Sequence, residues 1–243
     1  MAGFLRTRRR EAEWMDEPGA DPGQLRKSLA FIRRINRAMG YIRMILEQFD
    51  RFSVNWKPGQ IIRIVDIGTG SADIPAAILK WADRRGFSIQ IVGVDLHPRI
   101  AVEAAAAIND PRLQIVRCDA LHLPFADGSF DYAITSMFLH HLSDEQAQTA
   151  MAEMARVSRR GVIVSDLLRK KHAYAFIWLA TLFSCPMVRH DARVSVAQSF
   201  SREEILRLRD AAGLGFAEYC GHMSHRFMLA GEQGSRARRV LPQ

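Results

Sequence analysis

Three aspartates stand along this sequence where each could bind a polar group of one ligand. Asp66, Asp95 and Asp119 each lie in or just after a short apolar segment, and Gly68 and Gly70 follow the first of them. A carboxylate before a glycine turn can accept a hydrogen bond from an ammonium group. A carboxylate at the end of a second strand can accept hydrogen bonds from two ribose hydroxyls. A carboxylate after a third strand could accept a hydrogen bond from the exocyclic amine of an adenine. The set predicts a nucleoside-like ligand that carries positive charge.

The apolar segments around these aspartates are predicted strands of a parallel sheet. They cover residues 61 to 67, 89 to 94 and 113 to 116, and two more follow at 130 to 135 and 161 to 166. Runs rich in β-branched residues suit strands that are buried on both faces. In such a sheet the carboxyl ends of the strands meet at one edge, where ligands bind.

The glycine turn differs from the two common nucleotide-binding turns. A dinucleotide-binding turn has a third glycine three residues after the second, whereas Asp73 stands at that position here. An acid there suits a pyrophosphate badly, and no Lys-Ser/Thr pair follows for a P-loop. The glycines taken alone also fit a plain tight turn, and each acid taken alone fits a solvated strand end.

Longer motifs around these residues carry a resemblance to a known family. They read VDIGTGSAD (65 to 73), VDLHP (94 to 98), CDALHLPFADGSFDYAITSMFLHHL (118 to 142) and GVIVSDLL (161 to 168). The chain resembles class I S-adenosylmethionine-dependent methyltransferases, in particular the small-molecule subgroup with the quinone-biosynthesis C-methyltransferases. The resemblance covers residues 61 to 168, with a weaker match through 230.

The resemblance implies the cofactor S-adenosyl-L-methionine and a site for each part of it. Glycines 68 and 70 would line the methionine moiety, Asp66 would lie near the amino-acid end, and the residues after the fourth strand would flank the sulfonium. The implied cofactor residues are Asp66, Gly68, Gly70, Asp95, Leu96, Asp119, Ala120, Ser136 and Met137. The sequence departs from the family at Ser71-Ala72-Asp73, where a third glycine is frequent, so we expect Asp73 to rearrange the methionine contacts.

The predicted fold class is α/β, and three parts are expected. Residues 61 to 230 would form the methyltransferase domain, a Rossmann-like, mostly parallel sheet of seven strands with the last strand antiparallel and helices on both faces. Residues 1 to 60 would form a helical extension, and residues 231 to 243 a flexible tail. Within the extension, the apolar periodicity at 25 to 49 predicts one amphipathic helix with a basic face. That helix could pack on the domain, close the pocket as a cap, or make a weak contact with an anionic membrane.

Charge and cysteine content narrow the function classes. The net charge is +8, but residues 64 to 230 hold 18 Lys/Arg and 18 Asp/Glu, so the excess lies in the two ends. A neutral catalytic domain argues against a nucleic-acid substrate. Three scattered cysteines fit neither a disulfide framework nor a zinc site, so we expect no metal and a cytoplasmic protein. No signal peptide and no transmembrane segment are predicted, and the oligomeric state stays open.

Histidines are the candidate catalytic residues, because deprotonating a phenol or enol near neutral pH suits an imidazole. His140 and His141 directly follow the fourth strand, and His141 is favoured. His190 lies in a segment predicted as a loop, RHDARVSVAQS (189 to 199), beside an aspartate. Each histidine alone also fits a capping or packing role.

An apolar helix predicted at 171 to 184 offers a wall for an aromatic acceptor. Phe176, Trp178 and Phe183 would form that wall, or the helix would be buried against the sheet edge. No N/D-P-P-Y element follows the fourth strand, which favours oxygen or carbon over nucleobase nitrogen. The prediction is methyl transfer to a small aromatic, lipophilic acceptor such as a phenol, quinol or polyketide. The alternatives are an RNA methyltransferase that uses the basic ends, and a catalytically silent cofactor-binding module.

Overall fold

One seven-stranded sheet forms the centre of the protein in the computed structural model, which describes residues 5–222 and 224–234. Its order is β3-β2-β1-β4-β5-β7-β6, and β7 runs antiparallel to both of its neighbours while the other pairings are parallel. The strands are β1 Ile61–Ile67, β2 Ser88–Asp95, β3 Leu113–Arg117, β4 Phe130–Ser136, β5 Ser158–Leu167, β6 Glu218–His222 and β7 Arg226–Glu232. The predicted fold class is confirmed, with the last strand reversed as expected.

Helices cover the two faces of this sheet. They are α1 Pro22–Ala38, α2 Tyr41–Ser53, α3 Asp73–Arg85, α4 Pro98–Ala107, α5 Asp144–Val157, α6 Lys171–Ala180, α7 Pro186–Gln198 and α8 Arg202–Ala211, with 3₁₀ turns at Trp14–Asp16 and Leu139–His141. Ser143 with Gln146 and Ser201 with Glu204 form capping boxes that begin α5 and α8. Among the described residues, no helix is both long and apolar enough to cross a bilayer.

The alternation of side chains along β1 explains its run of β-branched residues. Ile62 and Ile64 point into a core shared with α2 and α3, whereas Val65 and Ile67 point into a core shared with α5 and α8. Successive side chains of a strand point to opposite faces, so a central strand between two helical layers must be apolar on both. This burial holds the end of β1 in place for the glycine turn that follows.

Two predicted elements are wrong. The single helix at 25 to 49 is two helices, α1 and α2, because Gly40 adopts the left-handed conformation with φ 71° between them. The apolar periodicity continues across this break, and therefore it conceals the change of direction. The predicted loop at 189 to 199 is largely helical, since α7 begins at Pro186 and extends to Gln198. A proline suits the first turn of a helix because its missing N–H is not needed there.

The pairing of β5 with β7 generates a prediction about stability. A methyl group added at Gly161 would collide with the carbonyl oxygen of Gly231, whereas one added at Gly221 would meet its nearest neighbour, Tyr219, at 3.9 Å. Gly161→Ala should lower the free energy of unfolding by about 1–3 kcal/mol, since backbone must shift to admit the side chain. The control Gly221→Ala should unfold like the parent in urea. Equal midpoints for the two variants would contradict this close approach.

Candidate active site

The turn after β1 is held by backbone hydrogen bonds and by a steric contact. The N–H groups of Gly68 and Thr69 both donate to the carbonyl oxygen of Val94, each at 2.9 Å. Gly68 has φ 69°, and a Cβ there would lie 2.5 Å from the ring of Phe138. Both the left-handed conformation and this contact demand glycine. The turn is therefore fixed against β2 on one side and against the residues after β4 on the other.

Two of the predicted cofactor acids lie at the ends of the next strands. Asp95 accepts hydrogen bonds from the N–H groups of Gly70 and His97, each at 3.0 Å, and its burial raises the pKa of its carboxyl. Asp119 accepts from the N–H of Leu121 at 2.9 Å. These backbone contacts orient both carboxyl groups at the carboxyl edge of the sheet, where a ribose and an adenine would meet them.

Asp66 is a buried acid with two further acids near it. Its side chain accepts from the hydroxyl of Thr69 at 2.7 Å. Burial, together with the nearby charges of Asp73 and Asp95, raises the pKa of Asp66 to about 7 despite that hydrogen bond. A cation brought beside this carboxylate would stabilise its charged form. The ammonium end of S-adenosylmethionine supplies such a charge, so Asp66 suits this cofactor.

The residues after β4 complete this end of the site. Ser136 is buried, and its hydroxyl has no hydrogen-bond partner among the described residues. Met137 has φ 58°, an uncommon conformation for a residue with a side chain, and its N–H donates to the carbonyl oxygen of Ser165 at 3.0 Å. A buried, unpaired hydroxyl is costly unless a ligand or water engages it, and this also fits the cofactor.

A single cavity of about 890 Å³ joins these groups to an apolar region. All nine predicted cofactor residues line it: Asp66, Gly68, Gly70, Asp95, Leu96, Asp119, Ala120, Ser136 and Met137. On the other side, its walls come from α1, α6 and α7. The cavity is therefore polar at the strand ends and largely apolar beneath these helices.

His140 lies between two carboxylates and is 2% exposed. Its Nδ1 lies 2.7 Å from an oxygen of Asp166, and its Nε2 lies 3.5 Å from Glu13. Burial alone would lower the pKa of His140, but the charge and hydrogen bond of Asp166 and the hydrogen bond of Glu13 outweigh it and raise the pKa. The ring is therefore oriented by Asp166, whose charge and hydrogen bond favour its protonated form.

His141 also lines the cavity, and its imidazole is positively charged at neutral pH. Its Nδ1 lies 2.7 Å from an oxygen of Asp16 and 4.0 Å from one of Glu13. Burial would lower the pKa of His141, yet the charges of Glu13 and Asp16 raise it to about 10. At neutral pH this imidazole is a cation, and a free base only at higher pH.

The sequence gives no sign that Glu13 and Asp16 belong to this site. Glu13 is buried, and its Oε1 accepts from the hydroxyl of Ser195 at 2.7 Å and from the amide of Gln198 at 3.0 Å. These contacts join segments more than 180 residues apart. No local pattern in a charged terminal segment reveals them.

A second set of contacts fixes the same segment. Arg8 bonds the carboxylate of Asp144 at 2.8 Å and the carbonyl oxygen of His140 at 3.0 Å. The N–H groups of Trp14 and Met15 donate to Asp191 at 2.8 and 3.1 Å. We call residues 8 to 17 the strap, because they lie across α7 and the histidines.

Three predicted residues do not line the cavity. His190 bonds Asp191 at 2.8 Å and stacks on Trp14 at 4.1 Å between ring centroids, on the strap side of α7. Trp178 is 46% exposed and Phe183 is fully exposed, and neither lines the cavity, whereas Phe176 does. The expectation of an aromatic wall is therefore corrected to Phe176 alone. The alternative, a buried helix, is also wrong, because Ala173 is the buried residue of α6.

Glu13, His140 and His141 are the group among the described residues whose ligand atoms lie close enough for a metal ion, all within 4.8 Å of one another. A histidine must be neutral to bind a metal. Here the carboxylates raise the pKa values of both imidazoles, so the three groups can share protons as one network. The expectation of no metal stays a prediction.

Comparison with known proteins agrees with this geometry. Residues 64–161 match the family model described as a methyltransferase domain. A demethylmenaquinone methyltransferase from Roseiflexus sp. (strain RS-1) is 38% identical over 112 residues, which are 45% of this chain and 44% of that protein. A ubiquinone/menaquinone biosynthesis C-methyltransferase from Citrifermentans bemidjiense is 33% identical over 101 residues, 39% of this chain and 40% of that protein. The chain spans less than half the length of these curated relatives.

A solved structure shares the fold as a whole. An S-adenosylmethionine-dependent methyltransferase from Aquifex aeolicus superposes with a TM-score of 0.59 at 14% identity, covering 82% of this chain and 92% of that one. Residues 64–161 therefore resemble a methyltransferase domain, and the fold is the one seen in that S-adenosylmethionine-dependent methyltransferase. Among curated proteins the chain is similar to quinone-biosynthesis C-methyltransferases, as the sequence motifs predict.

The carboxylates around His141 generate a prediction about its titration. The pKa of His141, followed by NMR, should be about 10 in the parent and should fall by roughly one unit or more in Asp16→Asn, because an opposite charge at contact is lost. Glu17→Gln, which removes a strap charge that makes no contact with the imidazole, serves as control. A parent pKa near 6.5 would contradict the assignment.

The raised pKa of His141 also determines how the stability of the protein changes with pH. The pKa of His141 is higher in the folded than in the unfolded protein. Its protonation therefore adds to the free energy of unfolding in full below about pH 6.5, and this contribution is lost as the pH rises towards the folded pKa. The free energy of unfolding of the parent should therefore fall between pH 7 and 10 by on the order of 2 kcal/mol more than that of His141→Gln.

Proposed function

We propose that the protein transfers a methyl group from S-adenosylmethionine to an oxygen or carbon of a small aromatic, lipophilic acceptor. The observation that carries this proposal is the single cavity, which extends from the glycine turn and the strand-end acids to an apolar region beside His140 and the positively charged His141. A donor and an acceptor that share one cavity can be aligned for direct transfer, and together they can displace water from it.

The polar end of the cavity suits the donor. Asp95 would accept the ribose hydroxyls, Asp119 and Ala120 would meet the adenine, and Asp66 would face the ammonium group. Leu96, Gly68 and Gly70 would complete the walls, with Ser136 and Met137 beside the sulfonium. When bound, the cofactor supplies a methyl group already activated on a positively charged sulfur, so the protein needs to position and desolvate the reactants.

The other end suits an apolar ring. Its lining includes Ile32, Ile35, Met39, Phe176, Ile177 and Val188. Apolar walls with a few polar groups are typical of pockets for small lipophilic ligands. The relatives named demethylmenaquinone methyltransferase support an acceptor of quinol type. A phenol or a polyketide enol has the same combination of an apolar body and an ionisable hydroxyl.

His141 would act on that hydroxyl as a cation. An imidazolium beside a phenol or enol stabilises the ionised oxygen and so lowers the pKa of the acceptor. The acceptor would release its hydroxyl proton to solvent as it enters the cavity, and the anion is then the nucleophile, through its oxygen or through a ring carbon that gives up its own proton to solvent after methylation. His140, held by Asp166 and Glu13, would keep the adjacent backbone and imidazole in position. His190 has no place in this proposal, because it lies outside the cavity.

The division of the chain follows from the same proposal. Residues 61 to 230 would form the catalytic domain, and residues 1 to 60 would act as a cap, since the strap and α1 line the cavity. Of the predicted tail, residues 235 to 243 lie outside the described residues. A cytoplasmic location stays a prediction.

Titration calorimetry with S-adenosylhomocysteine tests the donor end. Asp95→Ala should weaken binding by roughly 10²-fold, because hydrogen bonds to a charged carboxylate each contribute about 1.5–3 kcal/mol. Asp127→Ala, which removes an 81% exposed carboxylate paired with Arg156, should bind like the parent. Absence of binding to the parent, or equal affinity for the parent and Asp95→Ala, would remove the cofactor assignment.

A product assay with methyl-labelled S-adenosylmethionine tests the acceptor end. We expect label in phenols or quinols and none in RNA, with kcat reduced roughly 10²-fold in His141→Gln and S-adenosylhomocysteine affinity unchanged. His190→Gln is the matched control and should keep the parent kcat. Label in RNA alone would favour the nucleic-acid alternative, and cofactor binding without turnover on any acceptor of the panel would favour the silent module.

A further inference from the structure

Helix α6 presents an apolar surface that the described chain leaves uncovered. Trp178 and Leu179 are 46% and 64% exposed, and Phe183, in the turn after the helix, is fully exposed. Phe176 is 50% exposed and also lines the cavity. We call these four residues the α6 patch. A contiguous exposed group of large apolar side chains marks a surface that binds another apolar phase.

The surroundings of the α6 patch are positively charged. Residues 167 to 190 contain four Lys/Arg and no Asp or Glu. Of these cations, Lys170 and Lys171 at the start of α6 and Arg189 on α7 are exposed. The guanidinium of Arg193 lies 5.6 Å over the ring of Trp178. An apolar patch with a cationic border matches a surface that offers both hydrocarbon and negative charge.

Helix α1 carries a second group of cations, none of which lines the cavity itself. It contains five Lys/Arg and no acid, and all five are exposed: Arg26, Lys27, Arg33, Arg34 and Arg37. Both α1 and α6 pack against α7, and both contribute side chains to the cavity wall. The basic helix and the apolar patch therefore border one cavity.

We propose that the α6 patch inserts into the interfacial region of an anionic lipid bilayer, with the cations of α1 and α6 against the headgroups. Basic residues beside an aromatic and aliphatic face are the composition of interfacial helices, and tryptophan favours the boundary between hydrocarbon and headgroups. A nucleic acid would satisfy the cations but would leave Phe183 and Leu179 in water. A bilayer satisfies both. Binding of the protein to a bilayer does not depend on the proposed methyl transfer, so either proposal can fail without the other.

Sedimentation of the full chain with vesicles tests this proposal. The vesicles are phosphatidylcholine alone, or phosphatidylcholine with a quarter phosphatidylglycerol. We expect binding to the anionic vesicles, and a partition coefficient lowered about tenfold or more in the double variant Trp178→Ser/Phe183→Ser, because buried apolar area drives insertion. The control Val54→Ser/Val102→Ser removes side chains that are 81% and 68% exposed elsewhere and should bind like the parent.

The charge contribution is separated by salt and by a second variant. Raising the salt from about 0.1 M to about 1 M shortens the Debye length from about 10 to about 3 Å and should weaken binding to the anionic vesicles. Lys27→Gln/Arg34→Gln should weaken binding to those vesicles and leave binding to phosphatidylcholine unchanged. Equal thermal midpoints for all variants show that the fold is kept.

Three results would overturn the proposal. The first is no preference of the parent for anionic vesicles, and the second is equal binding by the parent and Trp178→Ser/Phe183→Ser. The third is a parent dimer in sedimentation velocity that this variant converts to monomer without any vesicle binding. That result would assign the α6 patch to a second copy of the chain.

Discussion

The close contact between Gly68 and Phe138 is the constraint on which the site depends. It joins the turn after β1 to the residues after β4, so the two elements that would hold the donor cannot move independently. The hydrogen bonds from Gly68 and Thr69 to Val94 extend this unit to β2. Because β1 is buried on both faces of the sheet, the unit rests on the packed centre of the fold. The cavity takes its shape from this arrangement.

The two ends of the cavity carry opposite charge: carboxyl groups lie at the strand ends, and imidazoles lie near α7. At the strand ends, burial raises the pKa values of Asp66 and Asp95, so these carboxyl groups favour a cationic ligand. Near α7, the carboxylates of the strap hold His141 as a cation, and Asp166 raises the pKa of the adjacent His140, so this end favours an anion. A donor that is positive at sulfur and an acceptor that ionises at oxygen match these two ends.

The sequence predicts the sheet well, and the nine residues expected at the donor end line one cavity, because both predictions follow from local patterns. Strand-end acids and a glycine turn have a chemical meaning that does not depend on distant residues. The acceptor end depends on long-range contacts: Glu13 reaches Ser195 and Gln198 across more than 180 residues. Apolar periodicity likewise could not reveal the left-handed Gly40 that separates α1 from α2, or say that Trp178 faces outward. A pattern identifies an apolar residue but not the surface that covers it.

The position of Asp16 joins two properties of the site in one segment. The strap that charges His141 also lines the cavity, so the same ten residues contribute a wall of the site and the charge of its imidazole. A substitution of Glu13 or Asp16 would therefore change the shape of the acceptor end together with the proton affinity of the group beside it.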